Sequence, residues 1–214
     1  MANSSSHHHS DNALPPAASS TSNTPPHRPI PSLVPISFVD FVNGRLQFSD
    51  GWYYNFETPG LLREAMTVRG LVQGARYPNQ KLAIHGDKAL ETLLSGVFVD
   101  QDHSTDEWQR LCGNGMRTNA YLAHVAKKSG ILEYVQPEGE GGTMDTWDQA
   151  TVVEAVFGAV FRDSQSVTFL KQVMLRFDVW WPESASELEF LHAKIKEMRE
   201  AHILGREQSK WEHE

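Results

Sequence analysis

Two carboxylates in this chain stand out for the apolar company they keep. Asp87 lies in "KLAIHGDKALETLL" (81–94) and Glu154 in "TVVEAVFGAVF" (151–161). Acids on buried helix faces are rare unless they are paired or hold a cation. The plain reading is a pair of satisfied core carboxylates or helix-end acids, but two of them on separate apolar helices favour a shared role, such as holding a divalent metal. Glu91 follows Asp87 by four residues, on the same helix face, whereas Asp148 precedes Glu154 by six and falls off it. Gly86 needs a reason of its own, because glycine inside a helix costs about 1 kcal/mol relative to alanine. Other reactive residues have plainer readings. His85 suits ordinary packing or a surface position, and Cys112 a small apolar filler. Trp180 and Trp181 suit anchoring of the last helix ahead of base stacking. The "EGEGG" loop lacks the GK[ST] ending of a phosphate cradle.

The elements that must carry these acids are helical. "PISFVDFVNGRLQF" (35–48) predicts a short helix stopped by Asn43-Gly44. "TPGLLREAMTVRGLV" (58–72) predicts a helix capped by Thr58 with Pro59 at its first position. A long helix spans 79–99. "TDEWQRLCGNGM" and "TNAYLAHVAKKSGI" give two more, the second ended by Gly130 behind two lysines. "QPEGEGG" reads as a loop. Residues 146–161 form an almost wholly apolar helix, followed by "SVTFLKQVMLRF". The last helix opens with a Ser184 to Glu187 capping box and carries Leu188, Leu191, Ile195 and Met198 as its stripe. No alternating pattern is long enough to define a strand, so the expected class is all-α.

Composition sets the limits. The chain has 214 residues, 40% hydrophobic and 21% charged, enough for one core plus some unstructured sequence. Residues 1–32 are rich in Ser, Pro, Ala and Asn and predict a disordered tail, its histidines 7–9 solvated. No apolar run approaches a membrane span, and the N-terminus has no signal-peptide core. A single cysteine suits a reducing compartment, so the expected location is intracellular, cytoplasm or nucleus ahead of mitochondrion. The net charge of −8 opposes broad attraction to nucleic acid, so any RNA binding has to be local or metal-mediated.

Four segments, in order, resemble the ribonuclease III family. "GWYYNFETPGLLREAMTVRG" is similar to its "GYxFxNPxLLxxALTHxS" opening, and "NQKLAIHGDKALETLLS" to the signature "ERLEFLGDxxLExxxS". "RTNAYLAHVAKKSGILEYV" resembles "xNxxLAxxAxxLGLxxYL", and "ATVVEAVFGAVFRDS" resembles "ADxxEAxxGAxYLDS". The resemblance implies the helical endonuclease-domain fold, a glycine that lets helices approach closely, and an Mg²⁺ or Mn²⁺ site that cuts double-stranded RNA. In the family that site has four carboxylates, a Glu and an Asp four apart and an Asp and a Glu three apart. Here those pairs read Ala83 with Asp87 and Thr151 with Glu154, and the leading signature glutamate is Gln80. Asp87 and Glu154 are thus the expected catalytic and metal residues, with Ala83 and Thr151 as lost acid positions. Glu91, Glu107 and Asp148 are the candidates for partial compensation. Halving the anionic ligands costs Mg²⁺ affinity, and without the ion the attacking water is not activated.

The implied organisation is a tail (1–32), a ribonuclease III-like domain (33–178) and a helical extension (179–214), the last too short for the family's double-stranded-RNA-binding domain. Family dimers pack an apolar residue of the signature helix into the partner, a position held here by Ile84. The expected function is a ribonuclease III-like protein that binds or processes structured RNA as a homodimer, with weak or absent cleavage. The alternatives are an active Mg²⁺-dependent endoribonuclease and a structural subunit of a ribosome or other ribonucleoprotein.

Overall fold

The computed structural model describes residues 30–69, 78–138 and 144–211, with side chains to residue 200. Most of the expected tail (1–29) and residues 139–142 of the expected 136–142 loop lie outside the described residues, while its first three residues form a strand and not a loop. Helices dominate, as the sequence leads one to expect. Strands β1 (Ile36–Asp40), β2 (Arg45–Phe48) and β3 (Tyr53–Asn55) make a small antiparallel sheet in the order β1-β2-β3. Helix α1 (Pro59–Ala65) and strand β4 (Thr67–Arg69) follow, then α2 (Gln80–Val99) and α3 (Thr105–Trp108). The chain next widens into a π-helical segment, Gln109–Met116, which is kinked at Gly115 (φ −124°, ψ −112°), before α4 (Asn119–Ser129). Strand β5 (Gln136–Glu138) pairs in parallel with β4. Helices α5 (Thr146–Ser164), α6 (Val167–Arg176) and α7 (Ala185–Trp211) complete the order.

Residues 35–48 correct the sequence reading: they form a β-hairpin, not a helix. Val39 faces Leu46 and Ile36 faces Phe48 across it, and all four are buried. Its turn is held by Asp40, whose carboxylate accepts from the Val42 and Asn43 amides. Gly44 completes it at φ +66°, where a side chain would also strike Pro59. Helix α1 is likewise shorter than expected, since residues 67–69 leave it as β4.

Helix α5 is the centre of the molecule. From Ala150 to Val160 every residue except Glu154 is buried, the pattern of a helix packed on all sides. Helix α2 crosses it at two glycines, Gly86 and Gly158. A Cβ on Gly86 would be driven into the Glu154 carbonyl oxygen and one on Gly158 into that of Leu82, so only glycine allows this backbone approach. This contact accounts for the glycine beside Asp87. On the other flank, the Gly130 cap of α4 adopts φ +73°, the left-handed ending that the sequence predicts.

The Thr58 cap is a second correction. Its side chain makes no cap bond. Instead Asp163, near the end of α5, accepts from the Glu57 and Thr58 amides and from the Tyr54 hydroxyl at 2.8–2.9 Å. The α7 capping box is half formed: the Glu187 amide donates to Ser184 Oγ, but the Glu187 carboxylate takes the Glu183 amide. Helix α7 docks through Leu191, Ile195 and Met198 and through an ion pair of Lys194 with buried Asp178. Asp178 also accepts from Trp180 Nε1, and its carbonyl from the Tyr121 hydroxyl. Trp180 and Trp181 are buried, which rules out base stacking by either. Trp181 packs on Phe98 and Trp108 and donates to Gln101.

Candidate functional site

The crossing of α2 and α5 sets Asp87 and Glu154 on either side of one glycine contact. Asp87 follows Gly86 directly, and Gly86 lies against the Glu154 backbone. Burial raises the Glu154 carboxyl to about 7, and the charge of Asp87 adds to the rise while Arg117 opposes it. Glu91 lies one turn further along α2, on the Asp87 side of this crossing.

A cation from elsewhere in the chain shares this face. Arg117, in the turn before α4, reaches Asp87 Oδ1 with Nη2 at 3.0 Å and with Nε at 3.4 Å. Its Nη1 lies 2.9 Å from Glu91 Oε1 and its Nη2 3.2 Å from Glu91 Oε2. Lys88 adds contacts of 3.3 Å to Asp87 and 3.1 Å to Glu91. Burial alone would lower the Arg117 pKa, but the hydrogen bond and charge of Asp87, with the charge of Glu91, raise it. The sequence reading missed this residue. Arg117 lies 30 positions from Asp87, and no local spacing links the two.

The other candidate acids serve elsewhere. Glu107 caps α3, accepting from the Ser104 amide at 2.8 Å, and pairs with His103. Asp148 forms a capping box with Asp145 at the start of α5. Of the three compensating candidates, only Glu91 stands on the Asp87 face. Ala83 and Thr151 are 4% and 3% exposed, and the Thr151 hydroxyl donates to the Trp147 carbonyl at 2.8 Å. His85 is exposed and its ring lies 5.5 Å from Phe161. Cys112 is buried, and that burial pushes its thiol up to about 12, as expected of an inert filler.

The Glu154 shift predicts a pH dependence of stability. A carboxyl raised from 4.5 to about 7 holds its proton more tightly folded than unfolded. Its stability contribution is therefore fully present at low pH and is lost as pH rises through about 7. Glu154→Gln keeps the neutral shape, so it should be roughly 2–3 kcal/mol more stable than the parent at pH 8. By about pH 4 that advantage should vanish. Urea unfolding at both pH values checks this, and a gap that does not change with pH would contradict it.

Comparisons with known proteins bear on what this arrangement is. No protein-family model matches the chain. Ribonuclease 3 of Bordetella pertussis is 33% identical over 117 residues, covering 52% of this chain and 44% of that protein. Ribonuclease 3 of Idiomarina loihiensis is 30% identical over 135 residues, covering 58% and 55%. The chain is homologous to ribonuclease III over this stretch. It spans about half the length of these relatives. A ribonuclease III nuclease domain of Campylobacter jejuni overlays with a TM-score of 0.49 at 17% identity, covering 59% of this chain and 91% of that one.

The homology raises the question of a divalent ion, and the residues present do not fit one. Mg²⁺ asks for near-octahedral oxygen coordination. Asp87 and Glu91 are engaged by Arg117 and Lys88, and positions 83 and 151 carry no carboxylate. Among the described residues, no three His, Cys, Asp or Glu side chains group so as to hold a metal.

Proposed function

We propose that this chain is a ribonuclease III-like RNA-processing protein that binds structured or double-stranded RNA and cleaves it weakly or not at all. The homology supports the RNA-processing role, and one observation supports the rest: Arg117 pairs with both Asp87 and Glu91, the acids an ion at this site would need. The proposed organisation keeps the tail, the domain over 33–178 and the helical extension over 179–214. Asp87 and Glu154 mark the site, with Glu91 beside them. With a net charge of −8, RNA contacts have to be local.

The test is gel retardation of the full chain with a labelled RNA duplex and a matched single strand, in Mg²⁺. Retention of the duplex in preference to the strand is expected. Binding to neither, with the chain travelling in a ribosomal or other complex, would replace this reading with that of a structural subunit.

The chain is further proposed to act as a homodimer. Ile84, a large apolar residue, is 59% exposed on α2. The same helix also borders an apolar groove of about 490 Å³ between α2, α5 and α6, lined in part by Ala89, Leu93, Val97, Phe161 and Leu170. Sedimentation should show a dimer at micromolar concentration, and a monomer there would end this part of the proposal.

A further inference from the structure

We propose that Arg117 is the built-in counter-ion of the α2 acids, a guanidinium that closes their face to divalent cations. The inference rests on the reading of Asp87 and Glu154 as the site. It concerns what holds that site, not which RNA the chain binds.

The geometry supplies the argument. Arg117 spreads three nitrogens over the two acids, Nε and Nη2 on Asp87 and Nη1 and Nη2 on Glu91, a planar fork that a single ammonium nitrogen cannot reproduce. Its side chain is only 19% exposed, whereas Lys88, on the outer side of the same acids, is largely in solvent. Arg117 is thus the cation that shields this face, and Lys88 is a peripheral one.

The backbone that presents Arg117 is fixed on both sides. Its own amide donates to the Cys112 carbonyl at 3.3 Å, and the Thr118 amide to that of Gly115 at 3.0 Å. The Thr118 hydroxyl donates to the Gly115 carbonyl and accepts from the Tyr121 amide, capping α4. Helix α4 is in turn anchored through buried Tyr121 to the Asp178 carbonyl. The guanidinium is therefore held in place by the fold and need not be recruited from solvent.

Charge completes the argument. Asp87 and Glu91 bring two negative charges, and Arg117 and Lys88 bring two positive ones. A dication arriving here would have to displace Arg117 and then sit beside a half-buried guanidinium. Like charges that close, with little water between them, repel strongly. Removing the guanidinium without removing the acids should open the face.

The probe is Mn²⁺ alone, added to the full chain and followed by electron paramagnetic resonance and by thermal unfolding. The parent should bind Mn²⁺ no better than scattered surface carboxylates do, and its Tm should not respond. Arg117→Gln should lower Tm by roughly 5 °C, because the acids lose their partner. It should bind Mn²⁺ at least about tenfold more tightly than the parent and recover Tm as Mn²⁺ is added. Adding Asp87→Asn to that variant should abolish the response. Arg117→Lys, which keeps the charge but loses the fork, should bind Mn²⁺ to an intermediate degree and covers the case in which the glutamine variant does not fold. Tight Mn²⁺ binding by the parent, or equal binding by parent and both variants, would overturn the inference. Duplex retention is a separate assay, so failure of the RNA reading remains distinguishable from failure of this one.

Discussion

Gly158→Ala should destabilise the protein by roughly 3 kcal/mol or more, lowering Tm by about 6–12 °C. The new methyl would enter the Leu82 carbonyl oxygen and also press on the Gly86 amide at 2.9 Å. Both are backbone atoms, so no side chain can swing aside. The central pair of helices would have to separate, and α5 has buried neighbours on every side to lose. A control isolates this effect from helix propensity. Gly96 lies in α2 with nothing within 4 Å of an added Cβ. Gly96→Ala should therefore stabilise the protein by up to about 1 kcal/mol. Thermal unfolding of both variants checks the account. A Gly158→Ala protein as stable as its parent would mean that α2 and α5 do not cross as closely as described.

The second large effect comes from returning acids to the two family positions that lack them. Ala83→Glu with Thr151→Asp would place two carboxyls at buried sites beside Asp87 and Glu154. Two more like charges, desolvated and with Arg117 already committed, should cost roughly 3–5 kcal/mol without metal. Millimolar Mn²⁺ or Mg²⁺ should recover part of that loss by binding the folded state. Recovery should be larger when Arg117→Gln is added. Each change alone should cost less and respond less. Unfolding with and without metal measures both effects. If metal restores nothing in either background, Asp87 and Glu154 do not share one site, and the assignment built on them fails.

What the sequence revealed, and what it hid, follows from the range of each interaction. Helices α2 and α5 were legible because their apolar periods are long, and the unexplained Gly86 was legible because a helix interior has a known cost for glycine. Gly130 at the end of α4 is a local signal that the fold obeys. The hairpin at 36–48 was not legible, because Ile36, Phe38, Val39, Phe41 and Val42 cluster in a way that suits a short helix as well as a strand. Only the pairing with Leu46 and Phe48 decides between the two. The Thr58 cap failed for a similar reason: its place is taken by Asp163, which lies 105 residues away. Among the candidate site acids, the four-residue helical spacing put Glu91 on the Asp87 face, where Arg117 reaches both. Glu107 and Asp148 each sit three residues after a capping residue and serve their own helix ends, and for Asp148 the six-residue spacing from Glu154 had already put it off that face. Arg117 was invisible until the turn before α4 came to rest beside α2.

The measurement that tests the central claim most directly is a cleavage time course. The purified full chain is incubated with a long RNA duplex in Mg²⁺ and, separately, in Mn²⁺, next to an Asp87→Asn control. The account predicts duplex that is bound but stays intact or nearly so, with the parent and Asp87→Asn alike. Rapid, metal-dependent cutting by the parent, abolished by Asp87→Asn, would contradict it and establish an active endoribonuclease.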